Sequence, residues 1–379
     1  MKVLVLGGGL VGRPMAIDLA KDKNFNVEIA DISKKNLDKI SDEFSIEKNL
    51  IDLSNKTKLK SIFNNVDIII NAVPGFMGFQ TLKEIIKSGK NVVDIAFSPE
   101  DTSELDELAK KNNVTAIVDC GVAPGMSNLL AGYVHSFLDE TKTILIYVGG
   151  LPTIREYPFE YKAGFSPIDV IEEYTRPARY VENGNLVTRP ALSDPELLNF
   201  PEVGTLEAFN SDGLRSLAFT LKVPNMKEKT LRYPGHIEKM KMFREAGFFS
   251  YDEIEIKGMK IKPIDFTSKL LFPMWELKNG DSEFTLMKVI VEGKKENKNL
   301  RYTFNLFDRY NEKTNVHSMA RTTGYTATTA VRMLSKGLFN KKGVFPPEFI
   351  GQNHKCVDFM LKGLKERGVI YKKIIEEIE

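Results

Sequence analysis

The chain has 379 residues, enough for about two domains of ordinary size, and this length excludes a single small domain. Its 53 Lys and Arg residues nearly balance its 51 Asp and Glu residues, so the net charge of +2 offers no large positive surface for nucleic acid or anionic lipid. Hydrophobic residues make up 42% of the chain, which excludes intrinsic disorder, and the two cysteines, Cys120 and Cys356, exclude a disulfide framework.

The first 120 residues alternate short apolar runs with helix-like segments. The apolar runs cover residues 3–6, 27–30, 67–72, 92–95 and 115–118. Strands that are apolar throughout are typical of a parallel sheet whose two faces are both covered by crossover helices. The sequence therefore predicts an α/β domain with a doubly wound parallel sheet of the Rossmann type.

A glycine-rich turn directly follows the first predicted strand. Gly7, Gly9 and Gly12 give the spacing G-x-G-x-x-G, with Leu10 and Val11 between the last two glycines, and a helix-like segment follows. In a dinucleotide-binding turn the first glycine permits the tight turn, the second admits the pyrophosphate, and the third lets the helix pack close to the strand. Backbone N–H groups and the helix dipole then bind the phosphates.

Asp31 ends the second predicted strand, 19 residues after Gly12. A carboxylate there can accept hydrogen bonds from both ribose hydroxyls and repels the 2′-phosphate of NADP, so we expect NAD as the cofactor. Ser33, Lys34 and Lys35 follow closely and leave NADP possible. Two other interpretations stay open for this acid: a helix cap, and the ribose ligand of an S-adenosylmethionine enzyme.

The next two strands end in residues that we assign to the cofactor edge. Asn71, Ala72 and Val73 place small side chains and backbone at the carboxyl end of the third run, which favours a dinucleotide over S-adenosylmethionine. Asp94 ends the fourth run, where a buried carboxylate is costly unless it is paired or used. It is our first candidate for a cofactor or substrate contact, with a cap for the helix that follows as the alternative.

The segment 118–132 ends the nucleotide fold with a strand end, a Gly/Pro turn and a helix capped by Ser127 or Asn128. Together with the glycine turn, this segment resembles the saccharopine dehydrogenase family. Motifs further along resemble its L-lysine 6-dehydrogenase branch, and they occupy residues 147–152, 173–178, 212–216, 230–236 and 319–326. The resemblance covers essentially the full chain.

The resemblance implies an NAD-linked oxidative deamination of the lysine ε-amine. The product would be an aldehyde that cyclises to a piperideine carboxylate, with release of ammonia. Saccharopine and carboxynorspermidine dehydrogenases act on the same kind of carbon–nitrogen bond in larger substrates and remain alternatives. Residues 97–100 lack the glycine- and histidine-rich stretch found in some lysine 6-dehydrogenases, so the pocket there differs.

The middle of the chain predicts a second, α+β substrate domain, and the resemblance implies that it is of the saccharopine reductase type. Longer and more polar strands are expected over residues 143–148, 284–292 and 300–307, a strand and turn over 252–259, and a tight turn at Asn279-Gly280. The predicted domains are a dinucleotide-binding domain over 1–124, a substrate domain over 125–319, and a C-terminal segment over 320–379. The resemblance implies that this last segment returns to the first domain. Thr322 in that segment is expected to touch the cofactor.

An amino-acid substrate needs a guanidinium group for its carboxylate. Arg215, in the polar turn that follows residue 209, is the predicted anchor, and Arg176, Arg232 and Arg321 are weaker substitutes. Tyr174, Arg176 and Tyr233 lie in motifs of the resemblance, which implies that they line the substrate site.

Three residues compete for the role of proton acceptor. His236 follows Pro-Gly and titrates near neutral pH, although a structural histidine is an equal alternative. Asp94 and Asp119 would need a raised pKa to serve. Cys120, next to Asp119, is expected to pack rather than react.

No metal site is predicted, because the four histidines show no metal-ligand spacing. No apolar stretch reaches the roughly 18 residues of a membrane-spanning helix, so we expect a cytoplasmic protein without membrane or nucleic-acid partners. The expected partners are a small amino-acid substrate and a second copy of the chain, as a homodimer. A redox sensor that binds NAD without turnover is the alternative from another functional class.

Overall fold

The computed structural model describes residues 1–278 and 280–379, so the turn predicted at Asn279 lies outside the described residues. The chain forms two compact units. The first is Met1–Phe137 with Met319–Tyr371, and the second is Leu138–Ser318 with Lys372–Glu379. The first unit thus extends past the predicted boundary at 124, because residues 126–135 pack against residues 347–351: a Cβ added at Gly132 would lie 2.3 Å from Glu348 O. Residues 372–379 belong to the second unit and not to the first.

The strands, in chain order, are β1 (Lys2–Leu6), β2 (Asn26–Asp31), β3 (Glu47–Leu50), β4 (Ile68–Asn71), β5 (Asn91–Asp94), β6 (Thr115–Ile117), β7 (Glu140–Pro152), β8 (Ala178–Glu182), β9 (Asn185–Arg189), β10 (Glu196–Phe200), β11 (Gly204–Asn210), β12 (Asn225–Arg232), β13 (Ile254–Ile256), β14 (Met259–Ile261), β15 (Glu283–Lys295), β16 (Lys298–Arg309), β17 (Gly343–Phe345) and β18 (Tyr371–Glu377).

The helices follow the same order. They are α1 (Gly12–Ala20), α2 (Lys34–Asp38), α3 (Lys56–Ser61), α4 (Gly75–Lys87), α5 (Asp106–Lys111), α6 (Met126–His135), α7 (Pro167–Thr175), α8 (Leu217–Thr220), α9 (His236–Glu245), α10 (Pro263–Trp275), α11 (Ser318–Ser335), α12 (Pro347–Gly351) and α13 (His354–Glu366). None of the helices in residues 1–278 and 280–379 combines the length and apolar character needed to cross a membrane.

The sheet of the first unit is parallel throughout, with the order β17-β6-β5-β4-β1-β2-β3. Its central strands are apolar on both faces because helices cover both: in β1, residues 3–6 are all fully buried. The order reverses at β1, between β4 and β2, and this switch point is where open α/β sheets bind their ligands. The predicted Rossmann-type fold is confirmed.

The C-terminal helices of the first unit pack on α1 through a partly buried ionic network. Arg332 of α11 places Nη1 2.7 Å from Asp18 Oδ2, and Arg367 places Nε 2.8 Å from Asp18 Oδ1. One carboxylate of α1 therefore joins two segments that lie more than 300 residues further along the chain.

The second unit is built on a mixed sheet with the order β10-β11-β12-β7-β15-β16-β18, and β8 pairs with both β12 and β9. β7 and β12 run parallel, whereas β15 and β16 form a long antiparallel hairpin. An aromatic core contains Trp275 and Tyr174, both fully buried. This is the predicted α+β arrangement, and the predicted strand over 252–256 and its turn are the hairpin β13-β14.

Candidate dinucleotide and substrate sites

Gly7 and Gly12 close the turn between β1 and α1. Gly7 has φ +100°, and a Cβ there would lie 2.4 Å from Ala72 O at the end of β4. A Cβ at Gly12 would lie 1.9 Å from Gly7 O. Both positions therefore exclude any side chain, as the predicted dinucleotide turn requires.

Gly9, in contrast, faces open space. A Cβ added there meets no atom of the described residues within 4 Å. Val11 is the N-cap of α1, and neither a capping side chain nor an acidic residue occupies the first turn of that helix in the described structure. The space beside Gly9 and Leu10, at the start of α1, thus fits a pyrophosphate group.

Asp31, at the end of β2, is buried and holds the glycine turn. Its Oδ2 accepts a hydrogen bond from Gly8 N at 2.6 Å, and its Oδ1 accepts one from Ser33 N at 2.6 Å. The carboxylate is therefore placed beside the turn, as predicted for a ribose ligand. It also has a local structural role that the sequence did not reveal.

The carboxyl ends of β4 and β5 place Asn71 and Asp94 side by side. The two residues are register partners, and both are fully buried. Asn71 Nδ2 donates to Gly78 O at 3.2 Å, and Asp94 Oδ1 accepts from Ala96 N at 3.1 Å. Asp94 is not a helix cap, because Asp101 caps the turn that precedes α5. Val73, the next predicted cofactor residue, is buried.

Asp119 joins this edge just after β6. It has φ +49° and is buried, and Cys120 N donates to Asp94 O at 2.9 Å. Burial raises the pKa of the Cys120 thiol, and the nearby charges of Asp94 and Asp119 raise it further. The structure thus brings the two predicted acids together around a thiol that stays neutral.

Thr322, the predicted cofactor residue of the C-terminal segment, lies on α11 and is fully buried. Its Oγ1 donates to Met319 O at 3.3 Å. Two residues later, a Cβ added at Gly324 would lie 3.0 Å from Met15 of α1 and 3.5 Å from Val11 O. The start of α11 therefore packs against the N-terminal turn of α1.

In the second unit, Tyr174 and His236 form a buried pair. His236 Nδ1 lies 2.8 Å from Phe159 O, so that nitrogen carries the proton. Its Nε2 therefore accepts from the Tyr174 hydroxyl at 3.0 Å. Burial lowers the pKa of His236 to about 3, with the charge of Arg232 adding to the effect. A neutral ring that is 1% exposed and bonded at both nitrogens fits the structural alternative rather than a proton acceptor.

Two other predicted residues are held in the same core. Arg232 Nε donates to the Tyr174 hydroxyl at 3.0 Å, and its Nη2 donates to Glu173 at 2.6 Å. The Tyr233 hydroxyl donates to Pro152 O at 2.8 Å, and the Arg155 guanidinium lies 4.6 Å from its ring centre. The geometry assigns Tyr174 and Tyr233 to packing of the unit and gives no support for a substrate contact.

Arg215 and Arg176, the predicted carboxylate anchors, both belong to the second unit. Arg215 is 7% exposed with φ +51°, an unfavourable backbone conformation for a side chain of this size. Arg176 forms an ion pair with Glu172, with 3.5 Å between Nη2 and Oε2. Burial lowers the pKa of Arg176, and the charge of Arg215 lowers it further, whereas the charges of Glu172, Asp212 and Asp169 raise it. A buried arginine such as Arg215 is suited to bind a carboxylate, because its charge is weakly screened.

Glu228 of β12 was missed by the sequence analysis. It is 4% exposed, and burial raises its pKa to about 8. A raised carboxyl pKa is a frequent property of functional sites. The only signal in the sequence is a charged residue inside a strand, which does not reveal the face on which it lies. Across residues 1–278 and 280–379, no group of three His, Cys, Asp or Glu side chains is placed to hold a metal ion.

The parallel sheet and its glycine turn define a dinucleotide-binding protein of the Rossmann class with a second, α+β unit. Residues 3–117 match the saccharopine dehydrogenase NADP binding domain, and residues 121–369 match the saccharopine dehydrogenase C-terminal domain. The chain belongs to the saccharopine dehydrogenase family. This confirms the predicted cofactor class, NAD(P).

The chain is similar to several characterised proteins at low identity. Carboxyaminopropylagmatine dehydrogenase of Synechocystis is 23% identical, with 99% of this chain and 98% of that protein aligned. The L-glutamate-forming, NADP(+)-dependent saccharopine dehydrogenase of Pyricularia oryzae is 26% identical over 66% of this chain and 58% of that protein. The chain spans only 29% of bovine alpha-aminoadipic semialdehyde synthase, which is 25% identical over the aligned part.

Among solved structures, the fold is similar to that of apo saccharopine dehydrogenase (L-Glu forming) from Saccharomyces cerevisiae. The TM-score is 0.79 with 19% identity, and 99% of each chain is covered. This likeness supports the fold of both units.

Proposed function

We propose that the chain is an NAD(P)-dependent oxidoreductase acting on a carbon–nitrogen bond, and that its reaction is oxidative deamination of the L-lysine ε-amine. The products would be an aldehyde, which cyclises to a piperideine carboxylate, and ammonia. The observation that carries the proposal is the presence of two features in one chain: a glycine turn open at Gly9, and a buried arginine, Arg215, in the second unit, with Arg176 as a second, largely buried arginine.

The first unit binds the cofactor in this proposal. The open space at Gly9 and the uncapped start of α1 receive the pyrophosphate, and Asp31 binds the adenosine ribose. Asn71, Ala72 and Asp94 lie at the edge where the nicotinamide half belongs. The bound dinucleotide supplies the hydride acceptor.

Asp94 and Asp119 are the proposed proton acceptors. The substrate ε-ammonium must lose a proton before its carbon can give up hydride. Both acids lie at the cofactor edge, where their charges raise the pKa of the Cys120 thiol. His236 is not included, because its buried ring is already bonded at both nitrogens.

Arg215 and Arg176 are the proposed anchors for the substrate α-carboxylate. Both are largely buried, so their charges are weakly screened and a charge-assisted hydrogen bond to a carboxylate is strengthened. A cation in this environment stabilises a bound amino acid far more than an exposed arginine does.

The preference between the two cofactors follows from Asp31. The family domain is described as NADP binding, whereas a buried carboxylate beside the turn disfavours a 2′-phosphate. We propose NAD as the preferred cofactor. The predicted homodimer and cytoplasmic location stay predictions.

A second candidate is a dehydrogenase of N-carboxyalkylated amines, such as carboxynorspermidine. The near full-length alignment with carboxyaminopropylagmatine dehydrogenase favours it, since that relative shares the length and both units. The larger substrate has its carboxylate on an amine substituent, and the same Arg176 and Arg215 pair would bind it. Saccharopine, with further carboxylates, requires more basic groups.

A substrate panel tests these alternatives. The purified chain is incubated with NAD or NADP and with lysine, saccharopine, carboxynorspermidine or carboxyaminopropylagmatine, and absorbance of the reduced nicotinamide is followed together with free ammonia. We expect reduction with lysine and equimolar ammonia. Reduction with a carboxylated polyamine and no ammonia favours the second candidate. Tight NAD binding without reduction by any amine contradicts both and favours a sensor.

A further inference from the structure

The segment that carries Arg215 is an unusual buried turn. It runs from Asn210, at the end of β11, to Arg215, and every residue in it is buried. Irregular segments normally lie on the surface, since their polar groups lack regular partners. Side chains of neighbouring segments must therefore fix this turn.

Polar contacts fasten the first half of the turn. Asn210 Nδ2 donates to Ser193 Oγ at 3.1 Å and to Asp194 Oδ2 at 2.8 Å. Asp212 accepts two bonds from Arg179, each of 2.8 Å. A bidentate pair of this kind fixes orientation as well as distance.

Glu228 fastens the middle of the turn from β12. Its Oε2 accepts from Ser211 Oγ at 2.6 Å and from Gly213 N at 3.1 Å. A Cβ added at Gly213 would lie 2.3 Å from the Glu228 carboxyl carbon, so the turn rests directly on this side chain. Two residues further on, Arg215 takes its left-handed conformation at φ +51°. Such a conformation persists only where the surroundings enforce it.

We propose that Glu228 is a positioning residue that holds the buried turn so that Arg215 presents its guanidinium group to the substrate carboxylate. The inference rests on the proposed function of Arg215 as the carboxylate anchor. It adds a residue that touches neither substrate nor cofactor and acts through two hydrogen bonds to the turn.

The carboxyl group of Glu228 is suited to this role in its neutral form. Burial raises its pKa to about 8, and the charges of Glu173 on α7 and Asp212 in the turn raise it further, against the hydrogen bonds from Ser211 and Gly213. Asp212 is itself paired with Arg179 of β8. At neutral pH Glu228 thus adds no negative charge beside the anion-binding site, and glutamine reproduces its shape and acceptor oxygen.

The test compares Glu228→Gln, Glu228→Ala and, as a matched control, Glu182→Gln. Glu182 lies on the adjacent β8 and pairs with Lys227 at its surface. We expect Glu228→Ala to raise KM for L-lysine about tenfold, which corresponds to about 1.4 kcal/mol, and to leave KM for the dinucleotide unchanged. Glu228→Gln should stay within roughly twofold at neutral pH, as should the control. In the wild type KM for lysine should rise above about pH 8, and in Glu228→Gln it should not.

Several outcomes overturn the proposal. An unchanged KM for lysine in Glu228→Ala does so, and so does a loss in Glu228→Gln as large as in Glu228→Ala. If Glu228→Ala does not fold, Ser211→Ala provides the test, because it removes the hydrogen bond between Ser211 and Glu228 without leaving a large cavity. An unchanged KM for lysine in Ser211→Ala then contradicts the positioning role. Arg215→Ala separates failure of the anchor from failure of the positioning role. If Arg215→Ala leaves KM for lysine unchanged, Arg215 is not the carboxylate anchor. If Arg215→Ala raises KM for lysine and Glu228→Ala does not, only the positioning role of Glu228 is wrong.

Discussion

At the scale of single residues, Asp31 shows how one side chain serves two purposes. Its carboxylate accepts N–H groups from Gly8 and Ser33, and thereby shapes the turn that receives the pyrophosphate. A carboxylate has about four acceptor sites, and Asn36 Nδ2 occupies a third at 3.5 Å, so capacity remains for a ribose hydroxyl. The structural role and the cofactor role of Asp31 are therefore compatible. Loss of the structural role affects binding of both NAD and NADP, whereas loss of the ribose contact affects NAD.

Asp31→Ala should weaken NAD far more than NADP. Both cofactors lose the support that the carboxylate gives to Gly8, but only NAD loses the ribose contact, and NADP is also relieved of repulsion at its 2′-phosphate. A hydrogen bond to a charged group is worth about 1.5–3 kcal/mol, so the NAD Kd should rise roughly 10- to 100-fold. Dissociation constants for both cofactors, measured by titration calorimetry, give the ratio. The exposed Asp38 provides a control, Asp38→Ala, and equal losses for NAD and NADP would show that Asp31 is purely structural.

The sequence predicted these cofactor residues because each obeys a spacing rule that the fold imposes. Gly7, Gly12 and Asp31 stand where the chain passes from strand to helix, and their roles depend on backbone geometry. His236 and Glu228 obey no such rule. Whether a polar residue points into the core or into a cleft depends on contacts between distant segments, such as those that His236 makes in the core of the second unit.

At the scale of elements, the glycine turn contains two kinds of position. At one kind, folding requires a glycine, and at the other the backbone is open to a ligand. Gly12 is in contact with the backbone of Gly7, whereas Gly9 faces open space. A substitution at the first kind of position changes stability, and one at the second changes binding. The same substitution at Gly12 is therefore a matched control for one at Gly9.

Gly9→Ala should bind dinucleotide at least tenfold more weakly and keep the stability of the apo chain within about 0.5 kcal/mol, because its Cβ meets no atom within 4 Å in the described structure. Gly12→Ala should instead lose about 1–3 kcal/mol of stability, because its Cβ would lie 1.9 Å from Gly7 O. Thermal unfolding without cofactor and fluorescence titration with NAD measure the two effects. Normal NAD binding by a stable Gly9→Ala chain would mean that the pyrophosphate does not lie in this turn.

The same distinction explains which strands the sequence identified. The central strands of the parallel sheet were predicted because burial on both faces leaves only apolar residues in them. β3, with sequence Glu47-Lys48-Asn49-Leu50, lies at the sheet edge and has no apolar pattern. β17 has three residues and joins the sheet from more than 200 residues away, so no local signal could place it.

At the scale of the whole molecule, nearly balanced charge makes individual buried groups decisive for pH dependence. A net charge of +2 produces little overall repulsion near neutral pH. His236 is the clearest case at acid pH, because burial and the charge of Arg232 lower its pKa from 6.5 to about 3. The unfolded chain binds a proton at this position below pH 6.5, and the folded chain does not.

His236 should therefore contribute fully to the free energy of unfolding above pH 6.5. This contribution should be lost as the pH falls from 6.5 towards 3, by up to about 1.4 kcal/mol per pH unit. His236→Gln can still accept from Tyr174 and donate to Phe159 O, and it should lose less stability over this range than the wild type. Urea unfolding at a series of pH values measures this, followed by the fluorescence of Trp275, the single tryptophan, which is buried in the second unit. His354→Gln, at an exposed position, is the control and should follow the wild-type curve. Parallel curves for the wild type and His236→Gln would show that His236 does not titrate differently in the folded and unfolded chains.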